Sequence, residues 1–371
     1  MDVQHDLVVS INAGSSSVKG ALFTFDDEPR LLARETVEGT GRRGAPPLLR
    51  WIEAQTRGRS LRAIGHRVVH GGPDRWEPQL AAPDTLDDLR ALIPFAPNHL
   101  PDEIALIDAC QQAHPTVPQV ACFDTAFHHT LPEVARRLPI PHQYDERGIR
   151  RYGFHGLSYA YLVEELQRLA GVEAAHGRVI LAHLGNGSSL AAVLNGRSID
   201  TTMGFTPIGG VMMSSRSGDL DPGVVTYLGR TGGLGADEIE SVLSTQSGLI
   251  GISQRTSDMR ELLAHERDDP NARLAVESYA YAVRKAIGGF AVVLGGLDTL
   301  VFSGGIGEHA PAVRARICGG LEFLGIRIDS QANGSNADVI SRADGTVVVR
   351  VIPTNEELMI ARAAWRLLSG R

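Results

Sequence analysis

Residues 7–23 read LVVSINAGSSSVKGALF, and this stretch decides the fold class. An apolar run from Leu7 to Ile11 breaks at small and polar residues, and a second apolar run follows from Val18 to Phe23. Short apolar runs separated by glycine and serine are typical of two strands joined by a turn. The stretch therefore predicts a β-hairpin near the start of the chain.

The same pattern returns about 170 residues later, at residues 179–194, which read VILAHLGNGSSLAAVL. Two similar hairpins, one in each half of the chain, indicate an internal duplication. Further apolar runs predict strands at 61–70, 117–123, 300–303 and 347–352. Helical spacing of apolar residues predicts helices at 102–112 and 159–169, and a buried helix at 274–294. Residues 26–60 give no clear pattern. Strands alternate with helices elsewhere, so we predict an α/β protein with two related lobes.

Composition and charge exclude several classes of protein. A length of 371 residues indicates about two domains. The formal net charge of −7 argues against a nucleic-acid partner. No apolar run is long enough to span a membrane, the N-terminus lacks the pattern of a secretory signal, and the 3 cysteines cannot form an even disulfide framework. We therefore expect a cytoplasmic protein that binds neither nucleic acid nor membrane.

Glycine-rich turns follow three of the predicted strands, at 12–17, 185–189 and 304–308. Backbone N–H groups in such turns can reach phosphate oxygens because glycine has no Cβ to block them. An ordinary turn explains any one of these segments better than a ligand site does, and none completes a dinucleotide fingerprint or a P-loop. The three together predict a nucleotide phosphate held between the lobes.

Charged residues in unusual positions are candidates for a site. Arg67 lies within a predicted strand among valines, and Arg216 lies in a polar, glycine-rich loop. Guanidinium groups suit carboxylate and phosphoryl oxygens, although an ion pair with Asp219 or Asp221 would explain Arg216 as well. Asp124 follows a predicted buried strand, where a carboxylate is well placed for a site. No histidine or cysteine spacing of a zinc site occurs.

Motifs along almost the whole chain, in the same order, resemble those of the acetate kinase family. They are NAGSSSVK at 12–19, HRVVHGG at 66–72, FDTAFH at 123–128, YGFHG at 152–156, HLGNGSS at 183–189, SRSGDLDP at 215–222, SDMR at 257–260, GGIGE at 304–308 and TNEE at 354–357. The resemblance implies two duplicated actin-like (ribonuclease H-like) lobes with the active site in the cleft between them. It places residues 1–128 and 359–371 in the N-terminal lobe, and residues 129–358 in a nucleotide-binding C-terminal lobe.

The resemblance also implies an activity, which is reversible transfer of the ATP γ-phosphoryl group to acetate. It implies Mg²⁺, with Mn²⁺ as the alternative ion, ATP and ADP as co-substrates, and a homodimer. The Leu-His-Asn-Pro stretch of the family reads Phe95-Ala96-Pro97-Asn98 here, and the segment between Lys19 and Leu61 is shorter than usual. A propionate or other short-chain acyl kinase therefore stays an alternative, and an actin-like ATPase is a more distant one.

Roles for individual residues follow from the resemblance alone. Arg216 and His155 hold the transferring phosphoryl group, and Asp124 orients either an arginine or the water shell of the metal. The residues implied for the acyl substrate are Arg67, Val69, Phe95, Phe154 and Pro207. Those implied for the nucleotide are Ser15, Ser17, Lys19, His183, Leu184, Gly185, Asn186, Gly187, Asp258, Met259, Arg260, Gly304, Gly305, Ile306, Gly307 and Glu308. The metal ligands implied are Asn12 and Glu356. Phe95 either lines the acyl pocket or turns into the core.

Overall fold

A computed structural model describes residues 6–14, 17–39 and 41–370 of the protein. The strands are β1 (Leu7–Ala13), β2 (Ser17–Thr24), β3 (Leu31–Glu38), β4 (Leu61–Val68), β5 (Gln79–Leu80), β6 (Gln119–Phe123), β7 (Arg178–Leu184), β8 (Ser188–Leu194), β9 (Arg197–Thr201), β10 (Thr299–Ser303) and β11 (Val348–Val351). The α-helices are α1 (Gly41–Thr56), α2 (Pro83–Ala91), α3 (Leu100–Ala113), α4 (Glu133–Arg136), α5 (His142–Asp145), α6 (Gly156–Ala170), α7 (Val172–His176), α8 (Pro222–Thr231), α9 (Ala236–Thr245), α10 (Gly248–Ser253), α11 (Met259–His265), α12 (Pro270–Val293), α13 (Gly304–His309), α14 (Pro311–Cys318), α15 (Ser330–Gly334) and α16 (Glu356–Ser369). The α/β class and both predicted hairpins are confirmed.

The chain divides into two compact units. Unit 1 comprises Met1–His129, Phe154–Tyr161 and Asn355–Arg371, and unit 2 comprises Thr130–Gly153 and Leu162–Thr354. Unit 1 thus includes residues 154–161, which lie outside the predicted N-terminal lobe. This assignment places Phe154 and His155 in the same unit as Arg67 and Asp124.

The two units contain sheets of the same topology. In the described residues of unit 1 the strand order is β3-β2-β1-β4-β6-β5, and in those of unit 2 it is β9-β8-β7-β10-β11. Each sheet begins with two antiparallel pairs and continues with two parallel pairs. Apart from β5 at the edge of the unit 1 sheet, the strands correspond one to one: β3-β2-β1-β4-β6 in unit 1 matches β9-β8-β7-β10-β11 in unit 2. This correspondence confirms the duplication that the two hairpins predict.

Helices cover both faces of the unit 1 sheet. Leu7, Val9 and Ile11 pack in one cluster with residues of α1 and α3. Val8 packs in another cluster with residues of α16 and with the first turn of α6. Because successive side chains of a strand point to opposite faces, β1 is buried on both sides and reads as a continuous apolar run.

Two predicted segments differ in the structure. The helix predicted as buried at 274–294 is α12, and one of its faces is exposed, with Leu274, Tyr281 and Val292 on the surface. The predicted burial is confirmed for the face that packs in the core of unit 2 and is wrong for the opposite face, because an apolar composition does not show which faces a neighbouring element covers. Residues 304–308, predicted as a turn, begin α13 instead. Among the described residues no helix is long and apolar enough to cross a membrane.

Candidate active site

The centre of the candidate site in unit 1 is an ion pair between Arg67 and Asp124. Strands β4 and β6 are parallel neighbours, so Arg67 near the end of β4 lies beside Asp124, which directly follows β6. Arg67 Nη2 donates to Asp124 Oδ2 at 2.7 Å, and Nη1 donates to the carbonyl oxygen of Ala13 at 3.2 Å. The side chain of Asp124 is fully buried, and that of Arg67 is 12% exposed.

The electrostatic balance at this pair favours the charged guanidinium. Burial by itself would lower the pKa of Arg67. The nearby carboxyl groups of Asp124, Glu103 and Glu356 outweigh burial and raise that pKa above its usual range. Arg67 therefore stays positively charged in a protected environment, which is what binding of a small anion requires.

Asp124 also holds the segment that carries His155. Asp124 Oδ2 accepts a hydrogen bond from His155 N at 2.9 Å, and Oδ1 accepts one from Leu157 N at 3.4 Å. His155 has φ of 60°, which is a strained backbone conformation for a residue other than glycine. The next residue, Gly156, donates to the carbonyl oxygen of Asp124, and a Cβ there would collide with that oxygen. Both roles predicted for Asp124 require a buried carboxylate, and in the structure this carboxylate pairs with Arg67.

The predicted metal ligands Asn12 and Glu356 lie together. Asn12, in β1, donates from Nδ2 to Glu356 Oε2 at 2.7 Å, and Glu356 is the first residue of α16. Burial first, and then the charge of Asp124, raise the pKa of Glu356 to about 7, although Arg67 acts in the opposite direction. The pair offers an amide oxygen and a carboxylate, which are hard oxygen ligands of the kind that Mg²⁺ takes.

The glycine–serine turn beside this pair is described only in part. Ser15 lies outside the described residues. The carbonyl oxygen of Ser17 accepts from Gly14 N at 2.8 Å, which closes the turn. Lys19 is the register partner of Asn12 across the hairpin, and its side chain is exposed. A cation on the exposed side chain of Lys19 is thus available close to the Asn12–Glu356 pair.

The residues expected to surround the acyl group are divided between the units. In unit 1 the ring of His70 packs edge-on against Phe95, with centroids 5.5 Å apart, and against Phe154, at 5.7 Å. Val69 precedes His70 and is buried, as is Phe154. The fifth residue, Pro207, belongs to unit 2. The structure therefore brings Phe95 and Phe154 into one aromatic cluster beside Val69.

Three segments of unit 2 that carry predicted site residues meet one another. The turn after β7, which follows His183, is closed by a hydrogen bond from Gly185 N to the carbonyl oxygen of Gly187 at 3.0 Å. Ser214 N, in the loop that carries Arg216, donates to the carbonyl oxygen of Asn186 at 3.2 Å. The first residue of α13, Gly304, approaches this turn so closely that a Cβ would lie 2.7 Å from the carbonyl oxygen of Leu184, and its φ of 76° also favours glycine.

Arg216 lies in a tight loop, and both acids proposed as its structural partners bind backbone groups. Arg216 Nη1 donates to the carbonyl oxygen of Pro207 at 3.1 Å. Asp219 Oδ1 accepts from Gly210 N, and Asp221 Oδ1 accepts from Gly223 N at the start of α8, each at 2.7 Å. Since these carboxylates serve the backbone of their own loop, the structure gives both of them a role that does not involve Arg216.

Several predicted nucleotide residues have local structural roles. The side chains of Leu184 and Met259 are buried in the core of unit 2, so contact with a nucleotide would come from their backbone groups. Asp258 caps α11 and pairs with the exposed Arg260. Glu308 Oε1 accepts from Gly304 N at 2.9 Å and from Thr354 N at 3.2 Å. Within α13, Gly305 is exposed, Ile306 is half-buried and Gly307 is buried.

Glu103, in the first turn of α3, is a charged residue of this site that the sequence motifs did not predict. Its carboxyl group lies 3.6 Å from Arg67 and accepts a hydrogen bond from Val69 N. The sequence contained a sign of this residue, because an acid at helical spacing from the apolar residues Leu100 and Ile107 falls on the buried face of the helix. Among the described residues no group of three or more His, Cys, Asp or Glu side chains could hold a metal ion.

The assembled elements match a family of known proteins. A model of the acetokinase family matches residues 48–362. The chain belongs to the acetokinase family. Enzymes of this family are kinases that transfer phosphate to a carboxylate acceptor and use ATP and ADP.

Individual relatives show the same likeness over the full length. The chain is 45% identical to an acetate kinase of Rhodopseudomonas palustris over 98% of this chain and 99% of the relative. The crystal structure of the Porphyromonas gingivalis acetate kinase matches with a TM-score of 0.87 at 34% identity, covering 98% of this chain and 100% of that one. A propionate kinase from Francisella tularensis matches with a TM-score of 0.88 at 36% identity, covering 96% and 98%. These acetokinases share the actin-like fold of two lobes, which confirms the predicted fold class.

Proposed function

We propose that the protein catalyses reversible transfer of the ATP γ-phosphoryl group to acetate, giving acetyl phosphate and ADP. The observation that carries the proposal is the charged, mostly buried Arg67, held by Asp124 at 2.7 Å next to the apolar residue Val69. A short carboxylate needs a guanidinium for its charge and an apolar surface for its methyl group. His70, the next residue after Val69, belongs to the aromatic cluster with Phe95 and Phe154 in the same unit.

The chemistry requires neutralisation of charge rather than removal of a proton. A carboxylate acceptor is already ionised at neutral pH, so the reaction needs no general base. Acetate and the triphosphate repel each other, and negative charge spreads over the transferring oxygens in the transition state. We assign binding of the acceptor carboxylate to Arg67, and binding of the phosphoryl oxygens to Arg216 and His155.

The Asn12–Glu356 pair is suited to a divalent cation. Three carboxyl groups, those of Asp124, Glu103 and Glu356, lie within electrostatic reach of the single guanidinium of Arg67. An additional cation would balance this excess of acid. Mg²⁺ usually binds through one or two carboxylates and keeps several waters, so two protein ligands suffice, and Mn²⁺ accepts the same donors. When bound, the ion would neutralise charge on the nucleotide phosphates.

We assign the nucleotide to the segments that meet in unit 2, together with Lys19 in unit 1. In the assigned turn 185–187 and at the start of α13, glycine backbones leave room for phosphate oxygens. Ser17 and the side chains of Asp258 and Arg260 complete the assignment.

We propose a homodimer and a cytoplasmic location as well. No described side chain of α8 is buried, and Val224, Val225 and Tyr227 expose apolar surface there, which a second copy could cover. Light scattering coupled to gel filtration measures the oligomer, and a mass of one chain would contradict the dimer.

Trapping of the acyl phosphate with hydroxylamine tests the activity. The purified protein is incubated with ATP, Mg²⁺ and formate, acetate, propionate or butyrate, and the acyl hydroxamate is measured. We expect the highest kcat/KM with acetate. A higher value with propionate would favour the second candidate function, which the match to a propionate kinase supports. Absence of hydroxamate with every acid would contradict both.

A further inference from the structure

Glu103 is a buried acid for which the assigned reaction has no role. Its side chain, in the first turn of α3, is only 3% exposed. Oε2 accepts a hydrogen bond from Val69 N at 2.8 Å. Oε1 lies 3.6 Å from Arg67 Nη1 and has no hydrogen-bond partner among the described residues.

Burial of a carboxylate oxygen without a hydrogen bond is costly unless a charge offsets it. The charge within reach is that of Arg67, on which Glu103 acts from one side at 3.6 Å while Asp124 binds from the other at 2.7 Å. The two acids belong to different elements, α3 and the segment after β6. Together they restrict the rotation of the guanidinium about its stem.

Packing of the helix does not explain an acid at this position. Leu100, Ile107 and Cys110 lie on the same face of α3 as Glu103 and are buried. An apolar residue would fill the volume without the cost of burying a charge. The carboxylate at this position is stabilised by two interactions, the ion pair with Arg67 and the hydrogen bond from the N–H of Val69.

We propose that Glu103 is a positioning residue for recognition of the carboxylate acceptor. It holds Arg67 in the orientation in which the guanidinium binds the acceptor, and it fixes the backbone at Val69 beside it. The inference rests on the proposed function, because it takes Arg67 as the acceptor-binding group. Glu103 itself contacts neither acetate nor nucleotide in this assignment.

The charged groups that face Glu103 are Arg67 from β4, Asp124 after β6 and Asp102 on its own helix. Burial, with help from the two aspartates, raises the pKa of Glu103 to about 7, although Arg67 and the N–H of Val69 oppose this. Glu103 is therefore ionised above about pH 7 and attracts Arg67, whereas below that pH it is protonated and the attraction is lost. Orientation of Arg67 should weaken as the pH falls.

Glu103→Gln tests the proposal, because it keeps an acceptor for Val69 N and removes the charge. The matched control is Asp108→Asn on the same helix, where the carboxylate is exposed and pairs with Arg90 instead. At pH 8 we expect Glu103→Gln to raise the KM for acetate by about tenfold, the lower end of the loss that follows removal of an outer partner of a metal ligand, which is the nearest comparable case. The KM of Glu103→Gln for ATP should match that of the parent, and both KM values of Asp108→Asn should match as well.

The pH profile supplies a readout that a merely structural role would not change. At saturating Mg²⁺ the KM for acetate of the parent should rise as the pH falls through about 7, and that of Glu103→Gln should stay constant at the high value. If Glu103→Gln does not fold, Glu103→Met, which also lacks the charge, takes its place. Glu356 has a pKa close to that of Glu103 and is present in both proteins, so only a rise in KM that the parent shows and the variant lacks supports the proposal; a rise shown by both, or by neither, overturns it.

Other outcomes distinguish failure of the positioning role of Glu103 from failure of the proposed function. A fall in the KM for acetate in Glu103→Gln would show that Glu103 competes with the acceptor, and equal rises in both KM values would show a structural role. Either result overturns the positioning role, as does an unchanged variant of an active parent. A parent that is inactive with every short carboxylate refutes the proposed function, and the positioning role with it.

Discussion

Replacement of Arg67 by leucine separates acceptor binding from stability. The variant removes a guanidinium that is 12% exposed and bonded to Asp124 at 2.7 Å. Loss of a charged hydrogen bond to the acceptor should cost about 2–4 kcal/mol, or roughly 30- to 1000-fold in kcat/KM for acetate. The fully buried Asp124 also loses its partner, and an unpaired buried charge costs about 3–5 kcal/mol of stability.

A second variant distinguishes these two effects. In the double variant Arg67→Leu/Asp124→Asn the buried charge is gone, and the asparagine oxygen can still accept from His155 N. We expect thermal denaturation to show recovery of part of the stability, while kcat/KM for acetate stays low. Arg62→Leu serves as the control, because it removes an arginine of the same strand whose 3.4 Å pair with Asp6 is exposed and worth little.

The assay measures initial rates with acetate and ATP varied independently, alongside melting temperatures of all four proteins. ATP saturation of Arg67→Leu should match that of the parent. A variant that loses ATP binding while acetate saturation is unchanged would refute the assignment of Arg67. Recovery of the acetate KM in the double variant would refute it too, because the defect would then lie in folding.

The remaining predictions concern the phosphoryl group, the metal and the acyl chain. Arg216→Ala should lower kcat more than it raises either KM, because the contact of Arg216 with the phosphoryl group strengthens as negative charge spreads over its oxygens in the transition state. The exposed Arg342→Ala is the control and should keep normal turnover. Near-normal turnover of Arg216→Ala would instead indicate a structural role for Arg216. Glu356→Ala should raise the Mg²⁺ concentration for half-maximal activity with the fold intact, and an unchanged requirement at low Mg²⁺ would remove Glu356 from the metal site. Phe95→Ala should raise the use of propionate relative to acetate, since one methylene in an apolar pocket is worth about 10- to 200-fold. An unchanged ratio with a lower melting temperature would show Phe95 to be a core residue.

Local pattern was enough to predict the hairpins and the repeat. The runs at 7–23 and 179–194 alternate between apolar residues and small turn residues, and such a pattern is compatible with few structures other than a hairpin. The strands β1, β2, β7 and β8 accordingly lie where the sequence predicts them. Motif resemblance also identified Arg67, Asp124 and His155, which the structure shows to be connected.

Local pattern failed where the outcome depended on a neighbouring element. Residues 304–308 are rich in glycine and predict a turn, but the close approach to Leu184 and the carboxylate of Glu308 support the first turns of α13. Exposure of one face of α12 and burial of Met259 likewise depend on which elements pack against them. Composition along a helix does not contain this information.

The sequence by itself determined the fold class, the duplication and the family, because these depend on periodicity and on motifs that can be read within short windows. Only the tertiary structure decided which charges act together. Arg67 meets Asp124 across 57 positions of the chain and Glu103 across another element, through the parallel register of β4 with β6 and the packing of α3. Such partners lie far apart in sequence, and burial rather than proximity along the chain sets the strength of their interaction. The surroundings of Arg67, a guanidinium between two buried carboxylates, are therefore a product of the tertiary structure and cannot be read from its strand.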